Sequence, residues 1–134
     1  MNDVARSELP REIAVLGAGI EIGASQRGTL MGPAALRTAG LLTLLESLGF
    51  SVEDHGDLSV AGVPELDDVP PDNCRHYREI QRWIRTLSTR AYELAHSGVI
   101  PIFIGGDHSL SMGSVNGVAR HWQEQGASCH RRGQ

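Results

Sequence analysis

Two short, wholly apolar runs, each emptying directly into glycine, constrain this chain most. Ile13-Ala14-Val15-Leu16 runs into Gly17, and Val99-Ile100-Pro101-Ile102-Phe103-Ile104 runs into Gly105-Gly106. Apolar runs this short and without alternation read as strands buried on both faces, the habit of parallel sheets. Pro101 cannot donate to a strand ladder and so belongs near the start of its strand. A further strand, Phe50-Ser51-Val52, alternates and is expected to end at the polar stretch Glu53-Asp54-His55-Gly56-Asp57.

Helical patterns fill the intervals. Gly32-Pro33 opens one, since proline at the first helical position forfeits no hydrogen bond. Leu41, Leu45 and Leu48 continue it as an apolar stripe, and Gly49 is placed to cap its end. Ala61 to Asp72 is a proline- and acid-rich connector, after which Asp72 or Asn73 can cap the next helix. Tyr77, Ile80, Ile84, Leu87, Ala91 and Leu94 then alternate spacings of three and four, the clearest helical signature in the sequence. A last helix is expected from about Ser109 to Gln125, with Val115, Val118, Ala119 and Trp122 on one face.

The order β-loop-α-β-α-β-α predicts an α/β fold, a parallel sheet with helices packed on it. Ligands of such sheets sit at the carboxyl ends of the strands. Both the Gly-, Ser- and Arg-rich loop from Gly17 to Met31 and the Gly105-Gly106-Asp107-His108-Ser109 segment fall there. A crossover helix ordinarily returns to a strand, yet Ala127 to Gln134 carries no strand signal. The expectation is an incomplete α/β unit over residues 1–126, with 127–134 as an unrelated, basic, disordered tail.

Composition narrows the function classes. The chain has 134 residues, 40% hydrophobic and 21% charged, ordinary values for one globular domain. A net charge of −4 and an aromatic content of 4% argue against a nucleic-acid binder, which needs a basic stripe or stacking platforms. Two cysteines, Cys74 and Cys129, are too few for a disulfide scaffold. The first residues have no apolar core of a secretory signal, and no apolar run approaches the ~20 residues needed to span a bilayer. The expectation is a soluble cytoplasmic protein with neither nucleic-acid nor membrane partners.

His108 is the residue most suggestive of chemistry. It follows an apolar strand and a Gly-Gly pair that lets the backbone turn sharply and a ligand approach closely. Asp107 beside it could orient the imidazole, as carboxylates do around metals. The plainer alternative is a strand-to-helix turn in which Asp107 or Ser109 is only an N-cap, and spacing alone favours that slightly. A catalytic zinc-type site needs about three protein ligands. The remaining candidates are weaker. His121 and Glu124 can share a helix face, His76 and His96 are expected to be solvated, and His55 sits among Asp54 and Asp57 at a polar strand end. His130 lies in the tail, and Cys74 has no partner base. Gly17, Gly19 and Gly23 depart from GxGxxG by one position, and no helix follows at once, so dinucleotide binding is disfavoured. There is no GxSxG, Walker A or HExxH sequence.

Gly105-Gly106-Asp107-His108-Ser109 resembles the first metal-binding motif of the arginase/agmatinase (ureohydrolase) family. Gly17 to Gly23, Arg27-Gly28, Met31-Gly32-Pro33-Ala34-Ala35-Leu36-Arg37 and Ala39-Gly40-Leu41 resemble the opening of its bacterial arginases. Gly56-Asp57-Leu58 and Ser111-Met112-Gly113-Ser114-Val115-Asn116-Gly117 extend the likeness, which runs from about Ile13 to Gly126. The Gly-Leu after Arg37-Thr38-Ala39 favours arginase over agmatinase.

The resemblance implies a three-layer α/β fold and a binuclear Mn²⁺ centre. Its bridging hydroxide would attack the guanidinium carbon of L-arginine, giving L-ornithine and urea. It makes His108 a metal ligand, Asp107 a neighbouring support, and Gly105 and Gly106 the residues that allow the turn. Family members form homo-oligomers. The family's later Asp-x-His-x-Asp and Ser-x-Asp-x-Asp motifs are not found here. The resemblance therefore points to a truncated arginase, inactive alone. An alternative of another class is a non-catalytic interaction protein that pairs with a full-length homologue through its open sheet edge.

Overall fold

The computed structural model describes residues 10–67 and 73–126. Three strands, β1 (Glu12–Ala18), β2 (Ser51–Asp57) and β3 (Ile100–Gly105), form one parallel sheet in the order β2-β1-β3. The helices are α1 (Gly32–Thr38), α2 (Leu41–Ser47), α3 (Tyr77–His96) and α4 (Ser111–Glu124). Short 3₁₀ turns at Thr29–Met31 and His108–Leu110 precede α1 and α4.

The apolar run of β1 becomes the central strand because both its faces are covered. Ala14, Leu16 and Ala18 join Leu87 and Leu94 of α3 in one buried cluster. Ile13 and Val15 point the other way, into a second cluster with Ile104, Leu41 and Leu45. This period-two division places α2 and α3 on opposite faces and gives the three-layer α/β arrangement expected from the sequence. Each buried Leu, Ile or Val adds about 1.5–3 kcal/mol of burial free energy. Pro101 is the second residue of β3, paired with Ala14.

Four local expectations are corrected. The helix opened by Gly32-Pro33 is two helices, because Gly40 adopts a positive φ of 95° between them. Gly49 does end the second, at a φ of 94°. β2 does not stop at Val52 but continues through Glu53–Asp57. It is an edge strand among the described residues, so polar side chains can stay in water while the backbone pairs with β1. His76, in a left-handed conformation at φ 55°, takes the cap position of α3 rather than Asn73, while Asp72 lies outside the described residues.

The fourth correction concerns α4. Its buried residues are Gly113, Gly117 and His121, not the face carrying Val115, Ala119 and Trp122. A Cβ on Gly113 would come within 2.7 Å of the Ile84 carbonyl oxygen, and one on Gly117 would meet the Ser88 carbonyl. The glycines let α4 lie directly on the α3 backbone. Ser88 Oγ donates to Asn116 Oδ1 at 2.8 Å across the same seam.

Candidate functional site

Because the strands are parallel, the chain leaving β1, the end of β2 and the segment after β3 gather at one rim. Two backbone bonds join the first and third of these. Gly106 N donates to Ala18 O at 3.2 Å, and Asp107 N donates to Ile20 O at 3.0 Å. The approach requires glycine, since a Cβ on Gly106 would fall on the Ile20 backbone. Gly105 is approached just as closely, its carbonyl oxygen lying 2.5 Å from where a Cβ on Gly32 would stand.

Asp107 completes the junction. Its Oδ2 accepts from Gly23 N at 2.8 Å. Its Oδ1 accepts from Ser109 N at 2.9 Å and from the Ser109 hydroxyl. Asp107 is thus the N-cap of the turn that begins at His108. Its contacts do not include the His108 imidazole, so it fixes that residue through the backbone rather than by a carboxylate–imidazole bond. His108 is exposed, and its ring has no hydrogen bond or ion pair among the described residues. It lines an open cleft of about 340 Å³ with Phe103, Gly105, Gly106, Asp107 and Ser111.

The polar end of β2 is committed to structure. Arg37 of α1 grips Asp54 with two nitrogens, at 2.9 and 3.0 Å, reaches Asp57 Oδ1 at 2.6 Å, and donates to Gly56 O at 2.9 Å. The hydrogen bond from Arg37 holds the Asp54 carboxyl below its ordinary range, and Asp54 and Asp57 raise the Arg37 guanidinium. Gly17 makes room, since a Cβ there would strike Asp57 Oδ1. His55 faces elsewhere, with Glu53 at 3.6 Å and Arg90 at 3.3 Å from its ring nitrogens. These residues are therefore not brought together with His108.

Sequence reasoning also missed where His121 goes. It is buried, only 8% exposed, and its Nδ1 has no partner among the described residues. Its ring meets His96, Tyr92 and Trp122 edge-on at 5.6, 6.1 and 5.2 Å between centroids. Glu124 does not join it but accepts from the Tyr92 hydroxyl at 2.5 Å, which raises the Tyr92 pKa. The apolar stripe of α3 gave no sign of this contact. Only the glycine spacing of α4, read as a packing face, could have suggested it. His76, His96 and Cys74 are exposed; His130 lies outside the described residues.

Whether these residues fit a two-metal centre can be tested on their chemistry. No group of three or more His, Cys, Asp or Glu among the described residues could hold a metal ion. The free donor at the rim is the His108 imidazole, while both Asp107 oxygens are engaged by backbone or hydroxyl donors. The described residues fit one ligand position and not a complete binuclear site.

A parallel sheet between two layers of helix, with a histidine-bearing loop pinned at its carboxyl rim, defines the class as an α/β protein. Residues 11–129 match the model of the arginase family, and this chain belongs to that family. It is 46% identical over 112 residues to an arginase of Agrobacterium fabrum, covering 84% of this chain and 34% of that protein. To a Brevibacillus brevis arginase it is 32% identical, over 89% of this chain and 39% of the relative. The crystal structure of arginase from Bacillus cereus superposes with a TM-score of 0.70 at 31% identity, over 82% of this chain and 35% of that one. The chain thus spans about a third of the length of the curated relatives it matches. No helix among the described residues is long and apolar enough to cross a membrane.

Proposed function

We propose that this chain forms the first part of an arginase-type hydrolase domain, with L-arginine as its guanidino substrate and Mn²⁺ as its metal. The observation that carries the reading is the rim loop. His108 stands at the carboxyl end of the sheet with a free imidazole, and Asp107 and Gly106 hold its backbone by bonds to the β1 loop. That arrangement presents one preorganised nitrogen donor and spends the adjacent carboxylate on rigidity. Carboxylate and water oxygens suit Mn²⁺, and in this reading they join the His108 nitrogen from outside the described residues. No hydrolytic step is assigned to the described residues, since they supply one ligand position, and the chain by itself is proposed to be inactive. Residues 1–126 form the arginase-like portion in this reading, which also places the protein in the cytoplasm and its complete form in a homo-oligomer.

The test is a chimera. The matched segment of the Agrobacterium fabrum arginase is replaced by this chain, and urea release from L-arginine is followed with added Mn²⁺. Activity is expected in the chimera and a fall of at least about 100-fold in its His108→Ala form, since losing a group that only orients a metal ligand already costs about 10–100-fold and this variant removes the ligand itself. A chimera that folds, binds Mn²⁺ and releases no urea would sink the proposal, as would full activity in the alanine variant. The chain alone is expected to release none.

A further inference from the structure

A larger cleft than the one at His108 opens between the β1 loop and the start of α3. It holds about 820 Å³, within the range of small-molecule sites. The two clefts share no lining residue. They are nevertheless neighbours, because Gly23, whose N–H is held by Asp107, lines the larger one. The loop on this side is folded on itself. Glu21 accepts from Gly28 N, Ala24 N donates to Glu21 O at 3.0 Å, and the Thr29 hydroxyl donates to Ile20 O at 3.2 Å. On the other side stands His76, the one non-glycine residue with a positive φ among the described residues. Such strained backbone gathers at ligand sites.

The charged groups of this cleft are uncommitted. Arg27 on the loop and Arg75 just before α3 both line it, and neither guanidinium has a hydrogen bond or ion pair among the described residues. Arg78 and Arg82, farther along the same segment, both face Glu65 at 3.9 Å. Glu79, half-buried in the first turn of α3, is also without a bonded partner among the described residues. The second carboxylate, Glu21, is spent on Gly28 N. Ile22, Ala24 and Ile80, all half-buried, supply an apolar wall. The cleft thus presents two free cations, one free anion and a hydrocarbon surface.

We propose that this cleft binds an α-amino acid as its zwitterion, with the carboxylate taken by Arg27 and Arg75 and the ammonium by Glu79. A guanidinium matches a carboxylate through two parallel N–H donors. One carboxylate shared by two guanidinia leaves the ammonium of the same ligand for Glu79, and the ligand's side chain for Ile22 and Ile80. A plain anion would meet Glu79 as a like charge, and a plain cation would meet the two guanidinia. The choice of L-arginine as the amino acid rests on the arginase-type reading, whereas the site rests on its own residues.

The experiment is an amide NMR titration of the chain with L-arginine in the presence of a chelator, so that no metal at His108 contributes. Saturable shifts at Gly23, Ala24, Arg27, Arg75 and Glu79 are expected, with a Kd of about 1 mM for a ligand of this size in an open cleft. Arg27→Gln and Arg75→Gln should each weaken binding about threefold, the scale of an exposed charge pair, and His108→Ala should leave it unchanged. On the unaltered chain, agmatine, which lacks the carboxylate, and Nα-acetyl-L-arginine, which lacks the ammonium, should both bind more weakly than L-arginine. No saturable shift at about ten times the expected Kd overturns the proposal. Inorganic phosphate binding as tightly as L-arginine, the mark of a plain anion site, overturns it too. So do shifts centred on Ser111 and lost in His108→Ala, which put the ligand at the rim. Urea release from the chimera is scored separately. Binding here with an inactive chimera leaves this cleft standing and removes the catalytic reading, while an active chimera without binding here removes the cleft alone.

Discussion

Replacing Asp107 separates its two jobs. The side chain caps the turn at His108 through Ser109 and ties the β1 loop through Gly23. Asp107→Ala removes both. Loss of an N-cap costs about 1 kcal/mol, and a hydrogen bond to a charged acceptor contributes about 1.5–3 kcal/mol. Gly23 lies on an exposed loop, where water takes over most of the second contribution. The sum is about 2 kcal/mol, or a fall in Tm of roughly 6–10 °C for a domain of this size. Asp107→Asn is the sharper variant. It keeps an oxygen for Ser109 but turns an amide toward the Gly23 N–H, so two donors face each other. About half the loss is expected. Amide hydrogen exchange reads the two contacts directly: Gly23 should exchange faster in both variants, and Ser109 only in the alanine form. Ser109 exchanging as fast in Asp107→Asn as in Asp107→Ala, or an unchanged melting temperature in the alanine form, refutes the division of roles.

Gly106→Ala should cost about 1–3 kcal/mol, because its Cβ falls on the Ile20 backbone rather than on a movable side chain; a urea titration that finds no change contradicts the close approach. Arg37 holds the Asp54 carboxyl below its ordinary pKa. The stability this pair contributes is fully present above the unfolded carboxyl value of about 3.9 and is lost as pH falls through the lower folded value. Urea midpoints measured from pH 6 to pH 2.5 should therefore fall more steeply below about pH 4 in the natural chain than in Arg37→Met. Parallel curves would show that the pair is not coupled to folding.

Much of the frame was legible because the residues involved answer to local rules. β1 and β3 are apolar on both faces, and the three-four spacing of α3 has one reading only. The β2 extension was not legible, since an edge strand leaves Glu53 in water and tolerates Asp54 and Asp57 where a distant Arg37 grips them. The orientation of α4 was hidden for a related reason. Hydropathy assigns Val115 and Trp122 to a core, but glycine permits a backbone approach that apolar bulk forbids, and the contact energy of that approach goes unmarked in any apolar pattern. At the rim, His108 was legible as a motif. The partner of Asp107 was not, because Gly23 is 84 positions away and offers only a backbone N–H.

The place of β1 at the centre of the sheet sets the order of events during synthesis. Its most apolar residues emerge first, yet their register begins only at Ser51 on one side and at Ile100 on the other. At about 5–20 residues per second, the second edge of β1 stays open for several seconds after the strand is made. A nascent chain of this topology carries its stickiest segment with one edge unpaired until β3 emerges, and long-range pairing of this kind is slow and exposed to aggregation.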